Sequence, residues 1–288
     1  MILYLNCYHA PTQVSWTKAD YLMLAAKRLG WNWVLPYQND TQSFKNDTNP
    51  EYVLNIEPFQ KFIKGSKWTG IWEIDISLDR SEMNVSDWIA SDTVLVANSN
   101  LPSRMKIFQG EKIVFFQACD PTIHKRMPLI PQKYDFVFSG SAGFEIYKER
   151  SRMMDMLRFH KFTFQDFGKG HSLANYVRKI NEGKVQFIRS VSKTPIAESQ
   201  VEQRFFECLA IGPVLKDYHP DLEELGLVES KDFFWYRNDS EMIFKMRYLI
   251  DNPDFAKQMA ANGRRKALLY HTYDHRLVAI KNIIQEYE

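Results

Sequence analysis

The chain has 288 residues, of which 45% are hydrophobic and 25% charged, and its formal net charge at pH 7 is +2. This composition is typical of a globular protein, and the length is enough for two domains of ordinary size. No apolar run approaches the ~18 residues of a membrane span, and the apolar start at Met1 lacks the basic flank of a signal peptide. The small net charge excludes a global field that would attract nucleic acid, although a local basic face stays compatible with it.

Three cysteines, Cys7, Cys119 and Cys208, stand far apart in apolar surroundings. An odd number at such spacing argues against a disulfide framework and predicts buried free thiols. We therefore expect a cytoplasmic protein.

In chain order, the first half alternates between apolar strands and periodic helical stretches. Residues 2–7 predict a strand, residues 17–29 a helix that ends at Gly30, and residues 31–36 a second strand. Further apolar segments recur at 70–76, 93–98 and 112–118. Such alternation implies a parallel sheet with helices on both faces.

After a linker around Pro128 and Pro131, the same pattern starts again. The predicted order is strand 134–139, helix 145–159, strand 161–167, strand 184–188, helix 198–211, strand 213–217 and strand 232–236. The tail from Ser240 is almost wholly helical, with breaks at Pro253 and near Thr272. The restart predicts two Rossmann-like domains rather than one large doubly wound sheet.

Residues 204–215 form the most informative stretch, because they read as an amphipathic helix that ends at Gly212 and leads into a buried strand. Arg204 and Glu207 are three positions apart and so are neighbours on the helix surface. A carboxylate there can accept both hydroxyls of a ribose, and a guanidinium can hold phosphate oxygens as a fork. Taken alone, the pair is more typical of a surface ion pair beside an ordinary helix end.

A second candidate site is the turn at 139–143, which is rich in small residues and leads toward a helix. Small residues such as Gly140 and Ser141 let backbone N–H groups approach a phosphate, and the helix N-terminus favours the anion. The chain has no G-x-G-x-x-G fingerprint with an acidic partner and no P-loop, which disfavours a nicotinamide enzyme and a P-loop nucleotidase.

The stretch 204–215 is similar to the donor-sugar helix of GT-B glycosyltransferases, in particular of the CgeB-type (spore maturation protein) family. In that family an arginine, an aromatic residue and a glutamate precede a small residue and a glycine. Further segments resemble family motifs in the expected order, at 134–140, at Arg150, at 167–170 and at 271–276.

The resemblance covers about residues 134–287, and it is weaker in the first half, at 72–75 and 118–121. It implies a GT-B fold, an α/β architecture of two Rossmann-like domains that face a cleft. The expected domains are an acceptor domain at 1–130, a nucleotide-sugar domain at 131–271, and a helix at 272–288 that returns to the first domain. His124, near the expected linker, would then shape the hinge.

The resemblance also implies a nucleotide-sugar donor, with a UDP-sugar as the expected one, and neither a metal nor a resident cofactor. The expected donor-binding residues are Gly140, Ser141, Arg150, Lys169, Arg204 and Glu207. Related retaining enzymes often carry a second glutamate eight positions before the first. Position 199 is Ser here, which leaves the stereochemistry of transfer open.

Two side chains are candidates for the base that accepts the acceptor's proton. Asp75 ends an apparent strand, and His9 lies in the first turn, where a GT-B enzyme faces its donor. An N-cap role for Asp75 and a structural role for His9 are the alternatives. Glu73 and Asp75 share a strand face, but nothing else in the sequence supports a metal site.

Three alternatives concern the function, and two of them differ in the acceptor. This chain is compact, rich in Lys, Asn, Phe and Tyr and poor in Gly. By analogy, this composition suggests a phage enzyme that glycosylates hydroxymethylated cytosine in DNA. In that case the protein would act in the host cytoplasm. A surface or spore glycan is the usual acceptor for the family, and a non-catalytic sugar-nucleotide-binding protein is the third alternative.

Overall fold

The computed structural model describes residues 1–7, 17–36, 50–56, 62–73, 85–97, 99, 110–138, 148–168, 171–190 and 201–288. The chain divides into two compact units, one formed by Met1–Phe116 with Tyr273–Glu288 and the other by Gln117–Thr272. The chain thus passes between units at 116/117 and 272/273, whereas the domain boundaries expected from the sequence, at 130 and 271, stay a prediction.

Eleven strands are present in the described part of the chain. They are β1 Leu3–Cys7, β2 Val34–Pro36, β3 Tyr52–Ile56, β4 Trp68–Glu73, β5 Thr93–Val96, β6 Glu111–Val114, β7 Tyr134–Phe138, β8 Phe164–Asp166, β9 Gly183–Ile188, β10 Val214–Asp217 and β11 Phe234–Tyr236. The helices in the same part are α1 Lys18–Arg28, α2 Val85–Ala90, α3 Lys148–Phe159, α4 Leu173–Asn181, α5 Gln203–Leu209, α6 Asp239–Asp251, α7 Pro253–Tyr270 and α8 Tyr273–Gln285.

Each unit is built on its own parallel sheet. The first sheet has the order β2-β1-β3-β4-β5-β6 and the second the order β11-β10-β9-β7-β8. In both units the first strand of the sheet lies between its second and third, as in doubly wound folds. The strand order therefore reverses between β1 and β3 in one unit and between β7 and β9 in the other. Ligands of such sheets bind at these switch points, outside the carboxyl ends of the strands.

Helix α1 shows why these residues fold locally as they do. Thr17 and Asp20 form a reciprocal capping box at its start, and Gly30, with φ of +69°, turns the chain into β2. Ala19, Leu22 and Ala26 are among the residues of α1 that are buried against the core.

The C-terminal helix α8 packs on α1 within the first unit. The ring of Tyr273 stacks on Tyr21 at 4.7 Å, and Arg28 Nη2 lies 2.6 Å from Asp274 Oδ1. The apolar stripe of α8 is buried at Leu277, Ile280 and Ile284. Because this stripe lies against α1, the helix completes the core of the first unit.

The prediction of two Rossmann-like domains with parallel sheets is confirmed. Sequence analysis missed β3, which is a central strand of the first sheet, and α4. Within the described residues it extended several elements too far, as with the strand expected at 161–167, which is β8 Phe164–Asp166. No helix in the described part of the chain is long and apolar enough to cross a bilayer. Cys119 and Cys208 are buried free thiols as predicted, and Cys7 is partly buried.

Candidate donor site

The carboxyl ends of β7, β9 and β10 define the candidate site in the second unit. These strands end at Phe138, Ile188 and Asp217, and helix α5 lies over the same edge of the sheet. The strand order of the sheet reverses between β7 and β9. Ligands of such sheets bind next to this reversal, outside the carboxyl ends of the strands.

Arg204 presents a guanidinium at this edge. Its Cζ lies 5.6 Å from the centre of the Phe138 ring, so it stacks over the residue that ends β7. Among the described residues, Arg204 has no hydrogen-bond or ion-pair partner, and it is only partly buried. Its five N–H donors are therefore free, within this part of the chain, to hold an anion.

Glu207 lies one turn further along α5 and has the opposite surroundings, because it is only 6% exposed. Tyr176 Oη donates to its Oε2 at 2.7 Å, and Gln203 Nε2 donates to its Oε1 at 2.6 Å. Burial and the charge of Glu207 raise the pKa of Tyr176 well above its usual value, so this phenol keeps its proton and donates. The carboxylate is thus held in one orientation.

His124 is the third side chain at the Glu207 carboxylate, with Nε2 at 3.4 Å from Oε1. Its Nδ1 accepts a hydrogen bond from the Asp120 backbone N–H at 2.9 Å, which leaves the proton on Nε2, toward Glu207. Burial lowers the pKa of His124, while the charges of Glu207 and Asp120 act in the opposite direction and are outweighed. A neutral imidazole therefore supports Glu207 as a donor.

A buried ionic cluster lies beside these residues at the ends of β9 and β10. Lys216 is fully buried, and its Nζ lies 2.8 Å from Ser190 Oγ, 3.0 Å from Asp217 Oδ1 and 3.0 Å from Glu202 Oε2. The Glu202 contact is an ion pair by distance, without the angle of a hydrogen bond. Burial lowers the pKa of Lys216, but the charges of Asp217 and Glu202 outweigh it and raise that pKa. The cluster joins the start of α5 to the sheet.

Most of the predicted site residues lie outside the described part of the chain. His9, Asp75, Gly140, Ser141 and Lys169 are in this group, so their roles stay predictions. Arg150 lies on α3, near its start, and its side chain is outside the description.

The turn before Lys169 is described. Gly168, with φ of +63°, donates its backbone N–H to Asp166 Oδ1 at 2.8 Å, which fixes the turn after β8. The structure therefore brings Arg204 and Glu207 together on α5. It also places Gly168, the residue before Lys169, after the end of β8, the strand that pairs with β7.

Sequence reasoning missed the side chains that hold Glu207. Tyr176 and His124 are 31 and 83 residues before it, so no local spacing connects them. Gln203 is the exception, because a residue four positions before Glu207 faces it on a helix. Among the described residues no cluster of three or more metal-ligating side chains is present.

Comparison with known proteins identifies the family of the chain. Residues 129–282, just over half of the chain, match the family described as glycosyl transferase-like. The chain belongs to this family, and the matched region contains β7–β11 and α5. No curated protein matches the chain in sequence.

Several solved structures share the whole fold. HepE of Anabaena in complex with UDP and glucose has a TM-score of 0.66 at 11% identity, over 99% of this chain and 100% of that one. Sucrose-phosphate synthase of Thermosynechococcus elongatus has a TM-score of 0.64 at 8% identity, over 99% of both chains. A glycosyltransferase of Rickettsia africae has a TM-score of 0.58 at 10% identity, over 99% and 98%. These similarities show the GT-B fold.

Proposed function

We propose that the protein transfers a sugar from a nucleotide-sugar donor to a hydroxyl of an acceptor. The observation that carries the proposal is Arg204, a guanidinium stacked on Phe138 at the switch point of the second sheet. Membership in the glycosyl transferase-like family, whose match includes this helix and strand, supports the same function.

The proposed reaction breaks the bond between the sugar's anomeric carbon and the diphosphate oxygen. A new bond forms between that carbon and the acceptor oxygen, and the acceptor's proton passes to a base, for which Asp75 and His9 are the candidates. The diphosphate leaves with the bonding electrons and gains negative charge. Arg204, together with Arg150 and Lys169, would stabilise that charge without a metal ion.

We assign the nucleoside end of the donor to Glu207. A carboxylate that is already oriented by Tyr176 and His124 needs little reorganisation to accept two ribose hydroxyls. UDP is the proposed nucleotide, because HepE, which has the same fold, is known in complex with UDP and glucose. A CgeB-type enzyme is the proposed subgroup.

For the acceptor we keep hydroxymethylated cytosine in phage DNA as the first hypothesis and a surface or spore glycan as the second. Both acceptors offer a hydroxyl nucleophile, so the donor site is compatible with either. The two differ in the response to salt, because a DNA acceptor held through phosphates should be released as ionic strength rises.

Turnover separates an enzyme from a non-catalytic sugar-nucleotide-binding protein. The experiment measures UDP release from a panel of UDP-sugars, with hydroxymethylated DNA, a glycan mixture or water as the acceptor, in the presence and absence of a chelator. We expect release that depends on one acceptor and persists in the chelator. UDP binding without release from any donor would favour the non-catalytic protein, and loss of turnover in the chelator would contradict metal independence.

A further inference from the structure

The second unit contains a cavity at the opposite edge of its sheet from Arg204. The cavity has a volume of about 690 Å³ and lies where β9 and β10 begin, at Lys184 and Pro213, with α7 along its other side. This volume falls in the range of ~300–1,000 Å³ that small-molecule sites occupy.

The lining of the cavity combines an apolar floor with cations. Val185, Ile211 and Leu249 belong to the floor. Four cationic side chains and one carboxylate, Asp254, also line it, the cations being Arg126, Lys184, Lys257 and Arg264. The cavity therefore carries an excess of positive charge.

Most of that charge has no counter-ion in the part of the chain that is described. Lys184 is neutralised by Asp135, whose Oδ1 lies 2.8 Å from its Nζ. Arg126, Lys257 and Arg264 form no ion pair with a carboxylate among the described residues. Arg126 is partly buried and donates to the backbone and side-chain oxygens of Asn181 at 3.0 and 3.3 Å, both neutral acceptors. Burial lowers the pKa of Arg126, so its surroundings penalise the charged form.

We propose that this cavity binds a small organic phosphate. A guanidinium holds a phosphate as a two-pronged donor, so Arg126 and Arg264 would bind the anionic head while Lys257 adds charge at the rim. The floor at Val185, Ile211 and Leu249 would receive an apolar body. A bare inorganic ion would leave this floor unused, so the geometry favours an anion with an organic part.

Arg264 connects the cavity to the donor helix. Its Nη1 donates to the backbone oxygen of Ala210, which caps the end of α5, and to the backbone oxygen of His124 at 3.3 Å. His124 in turn contacts Glu207. A phosphate that draws Arg264 toward the cavity would therefore act on α5. This regulatory part rests on the proposed function, whereas binding in the cavity does not.

The test is a calorimetric titration of the intact chain with phenyl phosphate, inorganic phosphate and phenol. We expect phenyl phosphate to bind more tightly than either of the other two. Arg126→Gln should weaken its binding about tenfold, the scale of one charged hydrogen bond. Lys257→Glu should also weaken the binding of phenyl phosphate. Because Lys257 is exposed, we expect this variant to fold even if Arg126→Gln does not.

Arg265→Glu is the matched control, because Arg265 is exposed on the same helix and does not line the cavity. This control and Arg204→Gln should leave phenyl phosphate binding unchanged. Binding that is lost in Arg204→Gln and kept in Arg126→Gln and Lys257→Glu would place the ligand at the donor edge and overturn the proposal. If the cavity binds phenyl phosphate but the affinity for UDP is the same with and without it, the regulatory part is wrong.

Discussion

Arg204 and Glu207, neighbours on one helix, have different surroundings and therefore different expected roles. Arg204 is partly exposed at the strand ends, whereas Glu207 is buried among Tyr176, Gln203 and His124. An open guanidinium can move to meet a ligand, but a carboxylate held by three donors is fixed before the ligand arrives. The orientation of Glu207 therefore depends on the three side chains that hold it.

Tyr176→Phe tests this dependence because it removes one donor and keeps the ring. Glu207 would lose a hydrogen bond while buried, so we expect a loss of about 1–3 kcal/mol in the free energy of unfolding and weaker UDP binding. Urea denaturation and calorimetric titration measure the two effects. Tyr218→Phe is the control, since Tyr218 Oη donates to exposed Glu223 at 2.9 Å. Equal effects of the two variants would contradict the account.

The charge of Glu202 makes stability depend on pH. Burial alone raises the pKa of Glu202, but the charge of the Lys216 ammonium outweighs burial and lowers the pKa to about 2. In the unfolded chain the pKa of the Glu202 carboxyl is ~4.3. The stabilisation by ionised Glu202 is therefore fully present above that pH and is lost as the pH falls toward about 2.

Glu202→Gln should remove this pH dependence. Between pH 6 and pH 3.5 the wild-type protein should lose about 1 kcal/mol more unfolding free energy than the variant does. Denaturation at the two pH values gives the difference, and Glu224→Gln, at an exposed position, should behave as the wild type. A variant with the same acid sensitivity as the wild type would remove Glu202 from the explanation.

Helices α5 and α7 approach each other closely at Gly263. A Cβ atom there would lie 2.6 Å from Leu209 Cδ1 and would also meet the backbone oxygen of Asp232. Replacing glycine by alanine inside a helix usually adds about 1 kcal/mol of stability. Here the added methyl group would overpack the contact between the helices, so Gly263→Ala should destabilise the protein and lower the thermal unfolding midpoint. A raised midpoint would mean that α7 can move away from α5 without penalty.

Helix α8 completes the core of the first unit through one apolar stripe. Leu277→Ala should cost about 2–5 kcal/mol, because a fully buried leucine leaves a cavity. Val278→Ala, at the next position and 39% exposed, should cost much less. Similar losses for both variants in thermal unfolding would show that α8 contributes little packing.

At the scale of the whole molecule, the sequence predicts the fold better than the site. The alternation of strands and helices is local information. Phe205 and Leu209 are one helical turn apart, a spacing that predicts one buried face, and both are fully buried. Strand β3 was not predicted, because its five buried residues include Asn55, which interrupts the apolar pattern. The Asn55 side chain is satisfied by the Asn6 side chain at 2.7 Å and by the backbone of Ile63.

The rest of the site could not be predicted, for a physical reason. The contacts of Glu207 with Tyr176 and His124, and of Lys216 with Ser190, join segments far apart in sequence. Only the folded sheet brings them together. Residue type and helical spacing identified Arg204 and Glu207, but what orients them is a property of tertiary structure.

The central claim is that the carboxyl edge of the second sheet binds a nucleoside diphosphate through Arg204. Calorimetric titration of UDP into the wild type, Arg204→Gln and the exposed control Arg265→Gln tests it most directly. We predict that Arg204→Gln raises the dissociation constant about 10–100-fold, the scale of charged hydrogen bonds to phosphate, while Arg265→Gln leaves it unchanged. An unchanged dissociation constant in Arg204→Gln, or no UDP binding by the wild type, would contradict the account.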